Sequence, residues 1–130
     1  MSRRPIKVTT IQQAEKSIAI DFDTPLHQYS RGWWTKDIYD PPTLGAHEAL
    51  KTLSAVYGVF IFSARPAKEI LPWCKVHFPD LRFQIIGPKV AYWNRRKVIG
   101  ITNRKLPALA YIDDRAIRFT TWQDCINYFR

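Results

Sequence analysis

The chain has 130 residues, of which 46% are hydrophobic and 14% aromatic, and it carries a formal net charge of +9 at pH 7. This length suits one domain with one hydrophobic core, and the apolar content argues against a disordered chain. No apolar run reaches the roughly 18 residues of a transmembrane helix, and the basic N-terminus lacks the apolar core of a secretion signal. The positive charge favours an anionic partner, either a nucleotide, a nucleic-acid end or a phosphorylated metabolite, although it is also compatible with simple solubility.

Apolar runs of strand length alternate with segments of helical period along most of the chain. After a basic lead-in at residues 1–16, which holds a candidate short helix at 10–16, the predicted strands are 17–22, 59–62, 82–86, 108–112 and 116–119. A short apolar run at 98–102 fits either type of element. The predicted helices are 43–57, 66–78 and 121–129, the second with a bend at Pro72 and the last with Thr120 or Thr121 as its N-cap.

Residues 24–42 interrupt this alternation between the first strand and the first helix. They contain Pro25, Gly32, Pro41 and Pro42 among many aromatic side chains, which predicts a loop or a small flap. The alternation of strands and helices elsewhere predicts an α/β fold, with a Rossmann-like, mainly parallel sheet and helices on both of its faces. We therefore expect a single domain over residues 1–130, without a large cap domain.

The two cysteines, Cys74 and Cys125, lie far apart and have neither CxxC nor histidine spacing. This pattern favours two buried thiols over a disulfide or a metal site. Together with the missing secretion signal, it predicts a cytoplasmic protein, and no membrane partner is expected. The oligomeric state stays open.

Two apolar runs are associated with pairs of carboxylates. One run, Ile-Ala-Ile-Asp-Phe-Asp, contains Asp21 and Asp23, and a later run, Ala-Leu-Ala-Tyr-Ile, is followed by Asp113 and Asp114. Charged carboxylates are costly to bury unless a cation or solvent meets them. Because open α/β sheets bind ligands at the carboxyl ends of their strands, a divalent-metal site is the leading explanation of both pairs.

Two further polar residues follow apolar runs in the same way. Ser63 comes directly after the predicted strand 59–62, and Lys105 comes shortly after the run 98–102. Phosphoryl transfer uses this set of residue types: one carboxylate attacks phosphorus and a second carboxyl group protonates the leaving oxygen. A hydroxyl and an ammonium hold the phosphate oxygens, and the remaining carboxylates bind Mg²⁺.

These four positions, in this order, resemble the motifs of the haloacid dehalogenase superfamily of phosphohydrolases, and the resemblance covers residues 17–129. It implies that Asp21 is the nucleophile, that Asp23 is the general acid/base, and that Lys105 neutralises the phosphate and the nucleophile. It also implies that Ser63, in Phe-Ile-Phe-Ser-Ala-Arg, binds phosphate. The substrate-binding residues implied are Ser63, Ala64 and Arg65, although an arginine is also common at the start of a helix. The implied Mg²⁺ ligands are Asp21, the backbone carbonyl of Asp23, Asp113 and Asp114.

The sequence Ile-Asp-Asp-Arg at 112–115, with Thr-Asn-Arg-Lys at 102–105 before it, is similar to motifs in the phosphatase domains of phage polynucleotide kinases and related small phage or bacterial phosphatases. This similarity implies a nucleotide or a nucleic-acid end as the substrate. The basic composition agrees with such a substrate but is not independent proof of it.

One position departs from the superfamily pattern. Asp23 is followed by Thr24 and Pro25, whereas the motif usually continues with Gly-Thr or Gly-Val. Glycine permits backbone angles that threonine resists, so the turn that leaves the strand is expected to differ. A catalytically weak or inactive relative that binds nucleic acid is therefore the alternative to a phosphatase.

Several flanking residues keep two interpretations each. His27 either contacts substrate or forms a hydrogen bond within the flap, and Arg115 either pairs with Asp114 or leaves it free for metal. The aromatic residues of the flap either stack on a base or pack onto the sheet, and a basic cluster after Tyr92 and Trp93 either binds nucleic acid or is solvated. The flap aromatics are Trp33, Trp34 and Tyr39, and the basic cluster is Arg95, Arg96 and Lys97.

Overall fold

The computed structural model describes residues 16–33 and 36–130. Five parallel strands form one sheet in the order β3-β4-β2-β1-β5. The strands are β1 (Ser17–Asp21), β2 (Gly58–Phe62), β3 (Phe83–Ile85), β4 (Ile99–Thr102) and β5 (Ala110–Ile112), and the helices are α1 (Ala46–Val56), α2 (Ala67–His77) and α3 (Trp122–Tyr128). The predicted α/β class, the parallel sheet and the lack of a large cap are confirmed.

Most predicted elements occur within a few residues of their expected bounds. The open assignment at 98–102 is resolved as strand β4, and Pro72 lies inside α2, which continues through it. The N-cap of α3 is Thr121, whose side chain accepts a hydrogen bond from the Asp124 N–H. The candidate helix at 10–16 falls almost wholly outside the described residues, as does Trp34 of the flap.

The prediction of a strand at 116–119 is wrong. The chain there is irregular and exposed, with Phe119 at 58% of its full exposure. A strand needs a neighbour to receive its backbone hydrogen bonds. Within the described residues the sheet ends at β5, so the apolar residues of 116–119 have no strand beside them.

One face of the sheet packs against α1 and α2. Alternate residues of the central strands point to this face, because side chains alternate along a strand. From β1 they include Ile18 and Ile20, which join Leu50 of α1 and Ile70 of α2 in the larger hydrophobic cluster. The strands are buried on both sides, which explains why β1 and β2 read as continuous apolar runs rather than as alternating ones.

The prediction of helices on both faces holds for one face only. Within the described residues, the opposite face is covered mainly by an irregular segment, residues 86–98. Ile86 and Trp93 of this segment pack on Phe60 of β2. The approach is close enough to require glycine in two strands. A Cβ on Gly58 would lie 2.3 Å from the Cα of Asn94, and one on Gly100 would lie 2.6 Å from the Ile86 side chain.

The last part of the chain is much less buried than the sheet. Strand β5 is an edge strand with only three residues, and α3 contains no buried residue. Trp122 of α3 is 74% exposed. The second carboxylate pair therefore sits on a lightly packed part of the fold.

Both cysteines are free thiols, as predicted. Cys74 is buried as expected, whereas Cys125 is only half-buried. Burial raises the pKa of the Cys74 thiol to about 12, so this thiol is un-ionised and acts as a small apolar core residue. Within residues 16–33 and 36–130, no helix combines the length and the apolar character that crossing a bilayer requires.

Candidate functional site

Three neighbouring strands bring the polar residues of the motifs to one edge of the sheet. Strand β1 lies between β2 and β5, and all three run in the same direction, so their carboxyl ends meet. A cleft of about 400 Å³ opens at this edge. The residues that line it are Asp21, Asp23, Trp33, Lys36, Ser63, Ala64, Arg65, Pro66 and Glu69.

Three carboxylates from the ends of two strands converge at this edge of the sheet, and of the three only Asp21 is among the described residues that line the cleft. Oxygens of Asp21, Asp113 and Asp114 all lie within 4.8 Å of one another. Burial, followed by the negative charge of Asp113, raises the pKa of Asp21 from 3.8 to about 6. The hydrogen bond that Asp21 accepts from the Phe22 N–H at 3.0 Å opposes this rise but does not cancel it. The cluster therefore holds negative charge that a divalent cation would neutralise.

The second carboxylate pair is held loosely. The Asp113 Oδ1 accepts a hydrogen bond from the Arg115 N–H at 3.0 Å, and Asp114 faces the Arg115 Nε at the long distance of 3.9 Å. Since the Arg115 side chain is 83% exposed, this ion pair is weak. Asp114 thus belongs to the acidic cluster and forms only a weak ion pair with Arg115. Its role as a metal ligand stays a prediction.

Asp23 does not join the acidic cluster with its side chain. Its carboxylate forms an ion pair with Arg65, whose Nε donates to both Asp23 oxygens at 3.0 and 3.2 Å. His27 binds the same carboxylate through Nδ1 at 2.9 Å. His27 also accepts a hydrogen bond from the Asp40 N–H at 2.9 Å, so the hydrogen bond within the flap is the correct interpretation of this completely buried residue.

Arg65 has one donor left over. Its Nη1 donates to the Lys36 carbonyl at 2.5 Å, and its guanidinium lies 5.6 Å from the centre of the Trp33 ring. The Nη2 group is buried and has no partner among the described residues. A buried guanidinium nitrogen without an acceptor is unfavourable, so this arrangement fits an anion that arrives with the ligand.

Ser63 lies in a tight turn between β2 and α2. Its N–H donates to the Thr102 carbonyl at 3.1 Å, and its Oγ accepts from the Arg65 N–H at 3.1 Å. Because the oxygen accepts this bond, the hydroxyl proton is left to donate into the cleft. Ala64 lies at the exposed tip of the same turn and also lines the cleft.

The described parts of the expected flap, residues 24–33 and 36–42, lie at the cleft, and the base of the flap is tied by hydrogen bonds. The Thr43 Oγ1 donates to the Thr24 carbonyl at 2.7 Å, and the Thr24 N–H donates to the His27 carbonyl at 2.8 Å. Thr24 has a φ of 87°, in the left-handed region where a β-branched residue is strained. The turn thus adopts a backbone angle suited to glycine, and the hydrogen bonds at the base of the flap hold Thr24 in it.

Two predicted site elements lie apart from the cleft. The Lys105 ammonium is placed over the Tyr111 ring, 5.5 Å from its centre, and Lys105 is not among the described residues that line the cleft. The cluster Arg95, Arg96 and Lys97 directly precedes β4, at the opposite, amino edge of the parallel sheet. It therefore does not belong to the same surface as the acidic residues.

Sequence reasoning missed three features of the cleft. Lys36 and Glu69 line it, and Arg65 forms an ion pair with Asp23 across a separation of 42 residues. The only available signal was that Arg65 comes two positions after Ser63, which suggests proximity but not the partner. Neither Lys36 nor Glu69 belongs to a motif, since the flap and α2 bring them to the site only on folding.

A scan against protein-family models, a search of curated proteins and a search of solved structures each find no match to this chain.

Proposed function

We propose that the protein is a Mg²⁺-dependent phosphatase that hydrolyses a phosphomonoester through an aspartyl-phosphate on Asp21. One observation carries this proposal: Asp21 belongs to an acidic cluster and also lines a cleft with two candidate donors to phosphate, the Ser63 hydroxyl and the Arg65 Nη2, which has no partner among the described residues. This combination serves an anionic substrate together with a cation.

The donor set fits Mg²⁺. Carboxylate oxygens are hard ligands, and three of them within 4.8 Å carry uncompensated negative charge, as the raised pKa of Asp21 indicates. The residues that would hold the ion are Asp21, Asp113 and Asp114, with the backbone carbonyl of Asp23. When bound, Mg²⁺ would offset the repulsion between the Asp21 carboxylate and the phosphate oxygens.

Two groups would hold the phosphoryl group. The Ser63 hydroxyl and the Arg65 Nη2 donate to its oxygens, and Lys36 adds positive charge on the flap side of the same cleft. This binding orients phosphorus toward the Asp21 oxygen that does not accept the Phe22 N–H.

The first half of the reaction transfers the phosphoryl group to the protein. An Asp21 oxygen forms a bond to phosphorus while the bond between phosphorus and the leaving oxygen breaks. Because Asp23 forms an ion pair with Arg65, its carboxylate must first take a proton from solvent. It then gives this proton to the leaving oxygen, which departs as an alcohol.

The second half regenerates the protein. The Asp23 carboxylate takes a proton from water as the water oxygen attacks phosphorus, and the bond between phosphorus and Asp21 breaks. Inorganic phosphate leaves, Asp21 returns to its carboxylate form, and Asp23 is protonated again.

The substrate we propose is a nucleotide or a nucleic-acid end. The chain has a net charge of +9, and Trp33, 69% exposed, offers an aromatic surface at the cleft on which a base could stack. The flap is the only cover over the cleft within the described residues, which leaves room for a bulky substrate. We also propose a reducing, cytoplasmic setting, which the two free cysteines support.

One observation favours the second candidate, a weakly active or inactive protein that binds nucleic acid. Lys105, the residue expected to neutralise the nucleophile, lies over Tyr111 instead of lining the cleft. An enzyme would require its flexible side chain to swing toward Asp21 when substrate binds.

A phosphatase screen separates the two candidates. The panel contains mononucleotides, oligonucleotides with 3′ or 5′ phosphates, and sugar phosphates, each assayed with Mg²⁺ and with a chelator. The proposed enzyme releases phosphate only with Mg²⁺, and best from the nucleotide or oligonucleotide set. Oligonucleotide binding that is unchanged by the chelator, without phosphate release from any substrate, would establish the binding protein instead.

A further inference from the structure

We propose that His27 is a positioning residue that holds the Asp23 carboxylate in a fixed orientation and leaves one defined oxygen, Oδ2, for proton transfer. This inference rests on the proposed function, because it assigns a device to the general acid/base of that reaction. Its starting point is a hydrogen-bond chain that runs from the flap backbone through the His27 ring to Asp23.

The chain determines the tautomer of His27. The Asp40 N–H donates to His27 Nε2 at 2.9 Å, and a backbone N–H can only donate. The Nε2 atom must therefore carry a lone pair, which makes the ring neutral and places its proton on Nδ1. The Nδ1–H group then donates to Asp23 Oδ1 at 2.9 Å.

The ring cannot easily leave this orientation. It is completely buried and stacks on Phe22, with the ring centres 5.6 Å apart. The edges of Tyr39 and Trp73 contact it at 5.0 and 6.0 Å between centres. Rotation by a half turn would break both hydrogen bonds at a ring that has no solvent exposure, so packing and bonding specify one orientation.

The two oxygens of Asp23 are consequently unequal. Oδ1 accepts from the His27 Nδ1–H and from the Arg65 Nε, which occupies both of its lone pairs. Oδ2 accepts from the Arg65 Nε alone, at 3.0 Å, and keeps one lone pair. Oδ2 is therefore the oxygen that exchanges a proton with the leaving group and with water.

The same bonds couple the flap to the chemistry. The Asp40 carboxylate accepts from the Ser30 N–H at 2.7 Å, and the Asp40 carbonyl accepts from the Trp73 Nε1 at 3.1 Å. Asp40 thereby joins two parts of the flap to each other and to α2. Since its N–H fixes the His27 ring, the position of the flap sets the position of the Asp23 carboxylate.

Leaving-group dependence tests this role. The variant His27→Phe keeps an aromatic ring in the pocket but donates nothing to Asp23, whereas His27→Asn can still place an N–H near the Nδ1 position. Each is assayed with thymidine 3′-phosphate, whose alkoxide must be protonated as it leaves, and with p-nitrophenyl phosphate, whose leaving group needs no proton. The comparison uses kcat/KM, which reports the steps up to phosphoryl transfer.

We expect His27→Phe to lower kcat/KM for the thymidine phosphate by at least about 10-fold, with the aryl phosphate affected by less than about 3-fold. His27→Asn should recover part of the loss. The matched control is His47→Phe, which removes a histidine that contacts Asp80 at 2.8 Å on the exposed surface of α1. This control should leave kcat/KM unchanged for both substrates.

Equal losses of kcat/KM with both substrates would show a merely structural role for His27. No loss with either substrate would overturn the positioning role. Both results leave the phosphatase proposal intact. A wild-type protein without turnover of any phosphomonoester would overturn the proposed function and this role together. Imidazole NMR spectra of labelled protein are independent of activity: a proton on Nε2 of His27 overturns the inferred chain, and a proton on Nδ1 that shifts in Asp23→Asn supports it.

Discussion

Strands β1 and β5 end in acids in the same way, but the fold treats the two ends differently. Strand β1 is central, with four of its five residues buried, and the Asp23 that follows it is held by Arg65 and His27. Strand β5 is a three-residue edge strand, and its acids face the exposed Arg115. Similar motifs thus produce a rigid half and a loosely held half of one site at the carboxyl edge of the sheet.

This difference separates two physical tasks. At the β1 end, neutral and cationic donors fix the orientation of Asp23 without any ligand. At the β5 end, Asp113 and Asp114 add negative charge beside Asp21, and both are contacted by the exposed Arg115, Asp113 through its N–H and Asp114 through a long ion pair. A cation is therefore the group that would order the β5 end.

The largest expected effect belongs to Asp21, where the two halves meet. Asp21→Asn should lower turnover by at least about 10³-fold, since an amide cannot form the aspartyl-phosphate. Steady-state kinetics with Mg²⁺ measure the loss, and the circular dichroism spectrum should be retained. The control, Asp80→Asn, makes the same change at an exposed aspartate outside the cleft and should leave turnover intact. Comparable turnover in Asp21→Asn would remove Asp21 from the nucleophile role.

A matched pair of arginine substitutions compares the stability of the two ends. Arg65→Met leaves Asp23 without its buried partner and should lower the free energy of unfolding by about 3 kcal/mol. Arg115→Met removes a mostly exposed arginine 3.9 Å from Asp114 and should leave this free energy nearly unchanged. Urea denaturation measures both, and similar costs at the two ends would refute the contrast between them.

Asp113→Ala should act in opposite directions with and without metal. The variant loses a ligand, so Mg²⁺ affinity measured by calorimetry should fall by about 10-fold or more. Without metal, removing a like charge beside Asp21 should raise the melting temperature slightly. Glu48→Gln removes a negative charge from the exposed face of α1 and is the control. Identical Mg²⁺ affinity in variant and parent would exclude Asp113 as a ligand.

The metal-free protein should lose stability as pH rises. The pKa of Asp21 is 3.8 in the unfolded reference and about 6 in the folded protein, so the folded state binds more protons between these values. Stability therefore falls as pH rises from 3.8 to about 6 and then levels off with respect to this group. Thermal melts across this range measure the fall, which Asp21→Asn should flatten. Stabilisation by added Mg²⁺ should be larger at pH 7 than near pH 3.8, because Asp21 is ionised at the higher pH. The reverse order would contradict Mg²⁺ binding by the acidic cluster.

The smallest effect concerns the turn after Asp23. Thr24→Gly should raise the free energy of unfolding by about 0.5 to 1 kcal/mol, because glycine adopts a positive φ without strain. The larger chain entropy that glycine loses on folding offsets part of this gain. Gly45 has the same φ of 87° and open space around a Cβ, so Gly45→Ala is the inverse test and should lower stability by a similar amount. A destabilising Thr24→Gly would mean that the Thr24 side chain contributes more than its backbone costs.

The elements and the edge on which the acids gather were predictable from local pattern. Parallel strands in a doubly covered sheet are continuously apolar, and a polar residue at the end of such a run marks the carboxyl edge; Asp21, Ser63 and Asp113 all followed this rule. The failure at 116–119 has the same origin, since the pattern reports apolar character and not whether a neighbouring strand exists.

By itself, the sequence determined the α/β class, the strand ends that carry carboxylates and the positive charge of the chain, because these depend on residue type and short-range period. Three features became visible only in the folded chain: Arg65 and His27 meet at Asp23, Lys105 lies over Tyr111, and the basic cluster at 95–97 occupies the far edge of the sheet. These contacts join residues brought together by the packing of the flap, α2 and the strands. Partner identity at such separations follows from chain geometry, which no local pattern encodes.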